Sequence, residues 1–172
     1  WLVNSFSASN MVHENKSIRN RILVEDVPSA LQHLTDILEA MRENRVLEIE
    51  YHPFYLEESQ HIQLLPYFVK LYERRWYVYG PTQENRRIKV YALDRVQRLS
   101  ISGQTFRMPK GFSAEEHLAT SIGIAYPDIP PRRIVIKCTG EQPQYLRALP
   151  LHYSQEETEQ HDGWSPVSYT HL

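Results

Sequence analysis

The sequence predicts an α+β chain, mainly β with flanking helices, in which a small five-stranded barrel is followed by a partial ferredoxin-like α/β module. Three observations carry this expectation. One amphipathic stripe at helical spacing precedes five short extended segments separated by turn residues. The segments are short, bent and apolar on one face, and closing them into a barrel buries that face and removes the exposed edges. After a stretch with prolines at 127, 130 and 131, the order strand, helix, strand begins.

The helix rests on Leu31, Leu34, Ile37, Leu38 and Met41, with Pro28 and Ser29 as its start signal and an end expected near Asn44. A single apolar stripe has to pack on the sheet that follows. Leu47, Ile49 and Tyr51 alternate with Glu48, Glu50 and His52, the pattern of a half-buried strand. His61 to Tyr72 is apolar on both parities and interrupted by Pro66, so a strongly bent strand is expected. Trp76–Gly80, Arg87–Leu93 and Val96–Ile101 complete the five, with Gly80-Pro81 and Glu84-Asn85 as punctuation. Ser113-Ala114-Glu115-Glu116 reads as a capping box opening a short helix through Ala119. Tyr126 to Arg132 reads as a linker, Ile134–Cys138 as a strand, Gln142–Ala148 as a helix with Pro143 in its first turn, and His152–Gln155 as the start of another extended segment.

The domain boundaries follow: 1–28 a linker or the end of an upstream region, 29–112 the barrel with its leading helix, 113–132 a linker, and 133–172 a truncated second module. The chain opens at Trp1 and ends on Ser168-Tyr169-Thr170-His171-Leu172 without completing a recognisable element, so it reads as a fragment. A module cut in this way exposes an unpaired strand edge, which predicts poor solubility.

The 172 residues are 41% hydrophobic, ordinary for a soluble globular protein, with no apolar run long enough to span a bilayer and no basic-then-apolar leader. A soluble, cytoplasmic chain without a membrane partner is expected. Cys138 is the only cysteine, which excludes a disulfide framework and a cysteine metal pair; continuing the Ile134, Ile136 face, it is expected to be a buried thiol. The net charge of −2 argues against bulk DNA coating, yet Lys70 to Arg98 holds eight bases against three acids, a local charge of +5. The balance reverses after Glu141, with Glu156, Glu157, Glu159 and Asp162 close together.

Within the basic stretch lies Arg74-Arg75-Trp76-Tyr77-Val78-Tyr79-Gly80, with Tyr91-Ala92-Leu93-Asp94-Arg95-Val96 one strand later. Strand parity puts Trp76 and Val78 on a core face and Arg75, Tyr77 and Tyr79 on the other, leaving that other face free for binding. Stacking rings beside cations suit single-stranded nucleic acid or a nucleotide. Asp94 is expected to be a turn carboxylate pairing with Arg95, Arg98 or nearby backbone N–H groups, and Arg87 and Lys89 to extend the basic surface. No Gly-rich phosphate loop, His-Glu metal spacing or nucleophile elbow is present, so neither an enzyme nor a cofactor is expected; the histidine nearest to carboxylates, His152 beside Glu156 and Glu157, reads as surface. A protein-interaction or dimerisation module without a nucleotide ligand is the competing reading, since small barrels also bind peptides through aromatic anchors.

Leu47-Glu48-Ile49-Glu50-Tyr51, Leu65-Pro66-Tyr67, Arg75-Trp76-Tyr77-Val78 and Tyr91-Ala92-Leu93-Asp94-Arg95-Val96, in this order and spacing, resemble the WYL domain of bacterial transcriptional regulators. Valine stands where the family name has leucine, and the likeness covers roughly Ile37 to Phe112. The resemblance implies an Sm-like barrel, preceded by a winged helix-turn-helix that reads promoter DNA and followed by a C-terminal extension with a ferredoxin-like fold. It implies a sensor of single-stranded nucleic acid or a nucleotide, working as a homodimer, with the DNA-reading domain outside this chain. Carried over motif by motif, the candidate pocket is Tyr51, Tyr67, Arg75, Tyr77, Tyr91 and Arg95. In it, arginine grips phosphate and tyrosine stacks or hydrogen-bonds.

Overall fold

The computed structural model describes residues 31–124, 130–158 and 163–171. The expected linker 1–28, the Pro28-Ser29 start signal and Tyr126–Ile129 lie outside the described residues. Helix α1 spans Leu31–Glu43 and packs on two strands of the first sheet. Leu34, Ile37 and Ala40 are buried with Met41 packed beside them, whereas Leu38 sits at the flank of the stripe and stays exposed. The helix stops where expected: Asn44 turns left-handed at φ 51°, a conformation asparagine tolerates, and its N–H donates to the Met41 carbonyl.

The strands of the first module form two antiparallel three-stranded sheets. In the first, β1 (Arg45–Tyr51) lies between β2 (Gln60–Leu64) and β6 (Val96–Thr105). In the second, β4 (Arg75–Gly80) lies between β3 (Phe68–Tyr72) and β5 (Lys89–Ala92). The long extended run therefore breaks at Leu65-Pro66-Tyr67, because proline removes a ladder donor there. The expected fourth strand is shorter than its apolar pattern. Asn85 Oδ1 accepts from the Arg87 N–H at 2.9 Å, holding Arg87 in a turn, and Leu93–Arg95 forms a 3₁₀ turn. Arg75 opens β4, while Glu73 and Arg74 make the tight connection from β3 with φ of 45° and 63°, the signs a two-residue hairpin turn demands.

Backbone bonds outside the ladders join the two sheets. The Leu65 N–H donates to the Pro81 carbonyl at 2.9 Å, the Tyr67 N–H to Tyr79 at 2.8 Å and the Gln83 N–H to Gln63 at 3.1 Å, with an isolated bridge between Leu64 and Thr82. At the other end the 3₁₀ turn links β5 to β6, and the His52 N–H donates to the Arg95 carbonyl at 3.0 Å. One core is shared between the sheets and α1, built from Leu47, Ile49, Tyr51, Leu64, Val78, Tyr91, Leu93 and Val96. Among the described residues the ladders make two sheets joined at their ends, with no continuous closed ladder.

The binding face expected from strand parity is covered. Trp76 and Val78 do face the shared core, but Tyr77 and Tyr79 are buried in a second one with Phe68 and Ala92. Its roof is the segment after β6, from which Phe112, Ala114, Leu118 and Ile124 pack against it, with Tyr67 from the β2–β3 connection beside them. That segment contains α2 (Ala114–His117), capped as predicted by Ser113, whose Oγ accepts from the Glu116 N–H at 3.2 Å. Tyr79 donates its hydroxyl proton to the Ile124 carbonyl at 2.8 Å, and the Phe68 and Tyr79 rings stack with centroids 4.4 Å apart. Both faces of β4 are core.

The second module has sheet order β7 (Arg132–Thr139), β9 (Trp164–His171), β8 (Glu156–Glu157), with α3 (Gln142–Ala148) packed against it. Cys138, Val167 and Tyr169 are buried with Leu146 beside them. His152–Gln155 is a turn, closed by the Gln155 N–H donating to the His152 carbonyl at 3.0 Å, and the strand begins only at Glu156. Arg132 already belongs to β7 and not to the linker. Ile134 and Ile136 share the face of Cys138 but remain 42% and 41% exposed, because the short α3 covers only one end of the strand. Among the described residues β7 is an edge, and no helix is long and apolar enough to cross a membrane.

Two predictions follow from this packing. A Cβ on Gly80 would sit 1.8 Å from the Leu65 carbonyl oxygen, whereas one on Gly103 meets nothing within 4 Å. In urea unfolding, Gly80→Ala is expected to cost roughly 3 kcal/mol or more and Gly103→Ala to be neutral or slightly stabilising. In the second module, hydrogen bonds from Arg147 (2.6 and 2.7 Å) and then Ser165 hold the Glu157 carboxyl at about 2, below its ordinary 4.5. A depressed carboxyl stabilises the fold above its unfolded value and loses that contribution as pH falls through the folded one. Glu157→Gln is therefore expected to flatten the dependence of the melting midpoint on pH between about 4.5 and 2.

Candidate ligand-binding site

β1 ends at Tyr51 because the chain turns away at Pro53, and β5 brings Tyr91 alongside it. The two rings meet edge to face with centroids 5.2 Å apart. Both are buried at the end of the shared core. The Tyr51 hydroxyl oxygen accepts from the Ala92 N–H at 3.4 Å. Burial pushes the Tyr51 phenol up from its ordinary value, opposed by the Ala92 N–H and by the Arg95 guanidinium facing it. The phenol is therefore neutral at physiological pH, with a proton to donate.

Arg95 comes from the 3₁₀ turn that joins the sheets. Its guanidinium carbon lies 4.1 Å from the centre of the Phe54 ring, and its buried Nε has no hydrogen-bond partner among the described residues. Tyr51, Tyr91 and Arg95 line a cavity of about 540 Å³ whose remaining walls include Pro53, Tyr55, Gln60 and the run Arg87 to Val90. The lining holds three cations, Arg87, Lys89 and Arg95, and no carboxylate. Neutral phenol, aromatic surface and a basic lining together suit a planar group carrying an anion.

A larger open groove of about 1210 Å³ runs along the first sheet past Glu48, Glu50, His61, Glu84 and Arg98. Its charges are of both signs and partly paired, Arg98 lying 3.6 Å from Glu50, so it is a poorer seat for a polyanion.

The six residues named from the sequence separate into three places. Tyr51, Tyr91 and Arg95 share the cavity. Tyr67 lies against the second core, stacked on Phe106 at 5.8 Å and edge-on to Phe112 at 5.2 Å, and Tyr77 is buried within it. Arg75 is half-exposed and its Nε lies 3.9 Å from Asp94, so the turn carboxylate takes Arg75 as its partner in place of Arg95 or Arg98. Sequence reasoning missed Phe54 and Tyr55, although Pro53-Phe54-Tyr55-Leu56 showed its signal openly: two adjacent rings behind a turn proline, outside any periodic element.

A family model described as the WYL domain matches residues 32–101. Among solved structures, the proteasome accessory factor B/C (PafBC) of Arthrobacter aurescens is similar with a TM-score of 0.48 and 18% identity, over 81% of this chain and 21% of that one. The chain thus spans about a fifth of the length of that structure. No curated protein matches the sequence.

The division into core and cavity residues is measurable. Tyr77→Ala is expected to behave as a core truncation, costing about 3 kcal/mol in urea unfolding. Arg75→Ala removes an exposed ion pair and is expected to stay within about 0.5 kcal/mol of the parent.

Proposed function

Residues 32–101 are a WYL domain, and we propose from that premise that the chain is the ligand-sensing regulatory part of a bacterial transcription regulator. Its ligand is a single-stranded nucleic acid or a nucleotide, held in the cavity at Tyr51, Tyr91 and Arg95. The observation that carries this reading is the charge of the cavity: Arg87, Lys89 and Arg95 line it with no carboxylate among them, beside two aromatic rings. A phosphate gains charge-assisted hydrogen bonds from such a site, and a base gains a stacking partner. The role is binding, not catalysis. In this reading the two joined sheets are the halves of an Sm-like barrel. The regulator is a cytoplasmic homodimer, and promoter DNA is contacted by a separate winged helix-turn-helix.

A second reading has its own observation. The β7 edge presents Ile134, Val135 and Ile136 at 42%, 58% and 41% exposure, an apolar strip suited to protein contact. A protein partner there is compatible with a ligand in the cavity.

The test is fluorescence anisotropy of a labelled twelve-residue oligothymidylate over a salt series with the full chain. Three cations meeting phosphates predict a log–log slope of about −2. Arg95→Ala is expected to weaken binding by at least about tenfold and to reduce the slope by about 0.7, while Arg75→Ala leaves both unchanged. Absence of binding to DNA, RNA and nucleotides alike would overturn the sensor reading in favour of the protein-contact one.

A further inference from the structure

Between β1 and β2 the chain makes a hydrogen-bonded turn, the Leu56 N–H donating to the Pro53 carbonyl at 3.1 Å. Phe54 and Tyr55 occupy its two central positions, where side chains point away from the body of the protein. They are 71% and 82% exposed. Scattered single exposed rings need no explanation, but two adjacent rings on a braced turn do. The brace has several parts. The His52 N–H is tied to the Arg95 carbonyl at 3.0 Å, and at the far end the Ser59 hydroxyl donates to Gln97 Oε1 at 2.9 Å. Phe54 is stacked under the Arg95 guanidinium at 4.1 Å, which leaves its outer face open.

The two rings differ in position. Tyr55 is part of the cavity wall, whereas Phe54 stands beyond it, against the outer side of Arg95. A cavity of about 540 Å³ is in the range that holds one small-molecule-sized group, so a longer ligand extends beyond it, and the Pro53–Leu56 turn is a rim it can cross. We infer that the Pro53–Leu56 turn is a second, stacking subsite, in which Tyr55 and Phe54 receive the base next to the one in the cavity. This rests on the reading of the cavity as a nucleic-acid or nucleotide site and deepens it: the preferred ligand is an oligonucleotide of at least two residues, not a mononucleotide. Arg95 then serves both positions. Its charge faces the cavity, and its guanidinium plane backs the Phe54 ring, giving a stack of cation, ring and base. Preorganisation matters here, because rings already fixed on a tied turn lose little freedom when a base arrives.

The experiment compares thymidine 5′-monophosphate with tetrathymidylate on the full chain and on Phe54→Ala, Tyr55→Ala and Phe54→Trp. The parent is expected to bind the tetranucleotide at least about tenfold more tightly than the mononucleotide. Phe54→Ala is expected to lose about fivefold or more for the tetranucleotide while staying within about twofold for the mononucleotide. Tyr55→Ala, on the wall shared with the cavity, is expected to weaken both probes with the larger loss for the tetranucleotide. Phe54→Trp should retain the parental preference. If the alanine variants weaken both probes equally, the turn belongs to a single site and the inference falls. If both probes bind the parent alike and the variants change neither, the inference falls and the sensor reading stands. If neither probe binds the parent, the sensor reading fails and the inference with it.

Discussion

The first module depends on the close approach of two chain segments that belong to different sheets. Leu65 and Tyr67 donate backbone hydrogen bonds to Pro81 and Tyr79, and nothing larger than the hydrogen of Gly80 fits beside the Leu65 carbonyl. Proline at position 66 makes this approach possible. By breaking the extended run it lets β2 stay with the first sheet and β3 pair with the second, while the residues between them face the end of β4. The apolar faces of both sheets are thereby brought onto one core, and α1 closes the remainder. Without that junction each sheet would be a three-stranded fragment with one face in water.

Covering both faces of β4 determines where a ligand can go. Once Phe112, Leu118 and Ile124 lie over Tyr77 and Tyr79, the aromatic face of β4 is closed to solvent. What remains is the rim, where the 3₁₀ turn carries Arg95 out of the plane of the sheets and the ends of β1 and β5 present Tyr51 and Tyr91. The site is thus made where two sheets meet and their side chains are only partly enclosed. Arg95 belongs to both descriptions, its carbonyl tying the β1–β2 loop and its guanidinium lining the cavity.

Much of this was legible in the residues. The stripe of α1, the alternation of β1 and the Ser113 cap each follow from local pattern, and the structure places them within a few residues of the sequence reading. The one bent strand expected over His61–Tyr72 is instead two strands in two sheets, so the first module has six strands and not five. The parity of β4 was also read correctly for Trp76 and Val78. The step that failed was from parity to exposure. Alternation shows which side chains share a face, but whether that face is wet depends on a segment some thirty residues further on, whose apolar residues Phe112, Leu118 and Ile124 have no strict period. The same limit hid the partner of Asp94, since its pairing with Arg75 is a contact across strands. Three of the six candidate residues, Tyr51, Tyr91 and Arg95, lie together in space because the end of β1, β5 and the 3₁₀ turn after it meet at one corner of the module.

The register of the first sheet also has a consequence for the order of assembly. The β3–β4–β5 meander joins near neighbours through a tight turn, whereas β1 pairs with β6 across almost the whole module, Arg45 lying opposite Thr105. Chain-closure entropy makes the first cheap and the second expensive, so the meander is the natural nucleus and the β1–β6 ladder closes late. The Tyr51–Val96 end of that ladder adjoins the cavity, so this corner of the first module is expected to be completed late in folding.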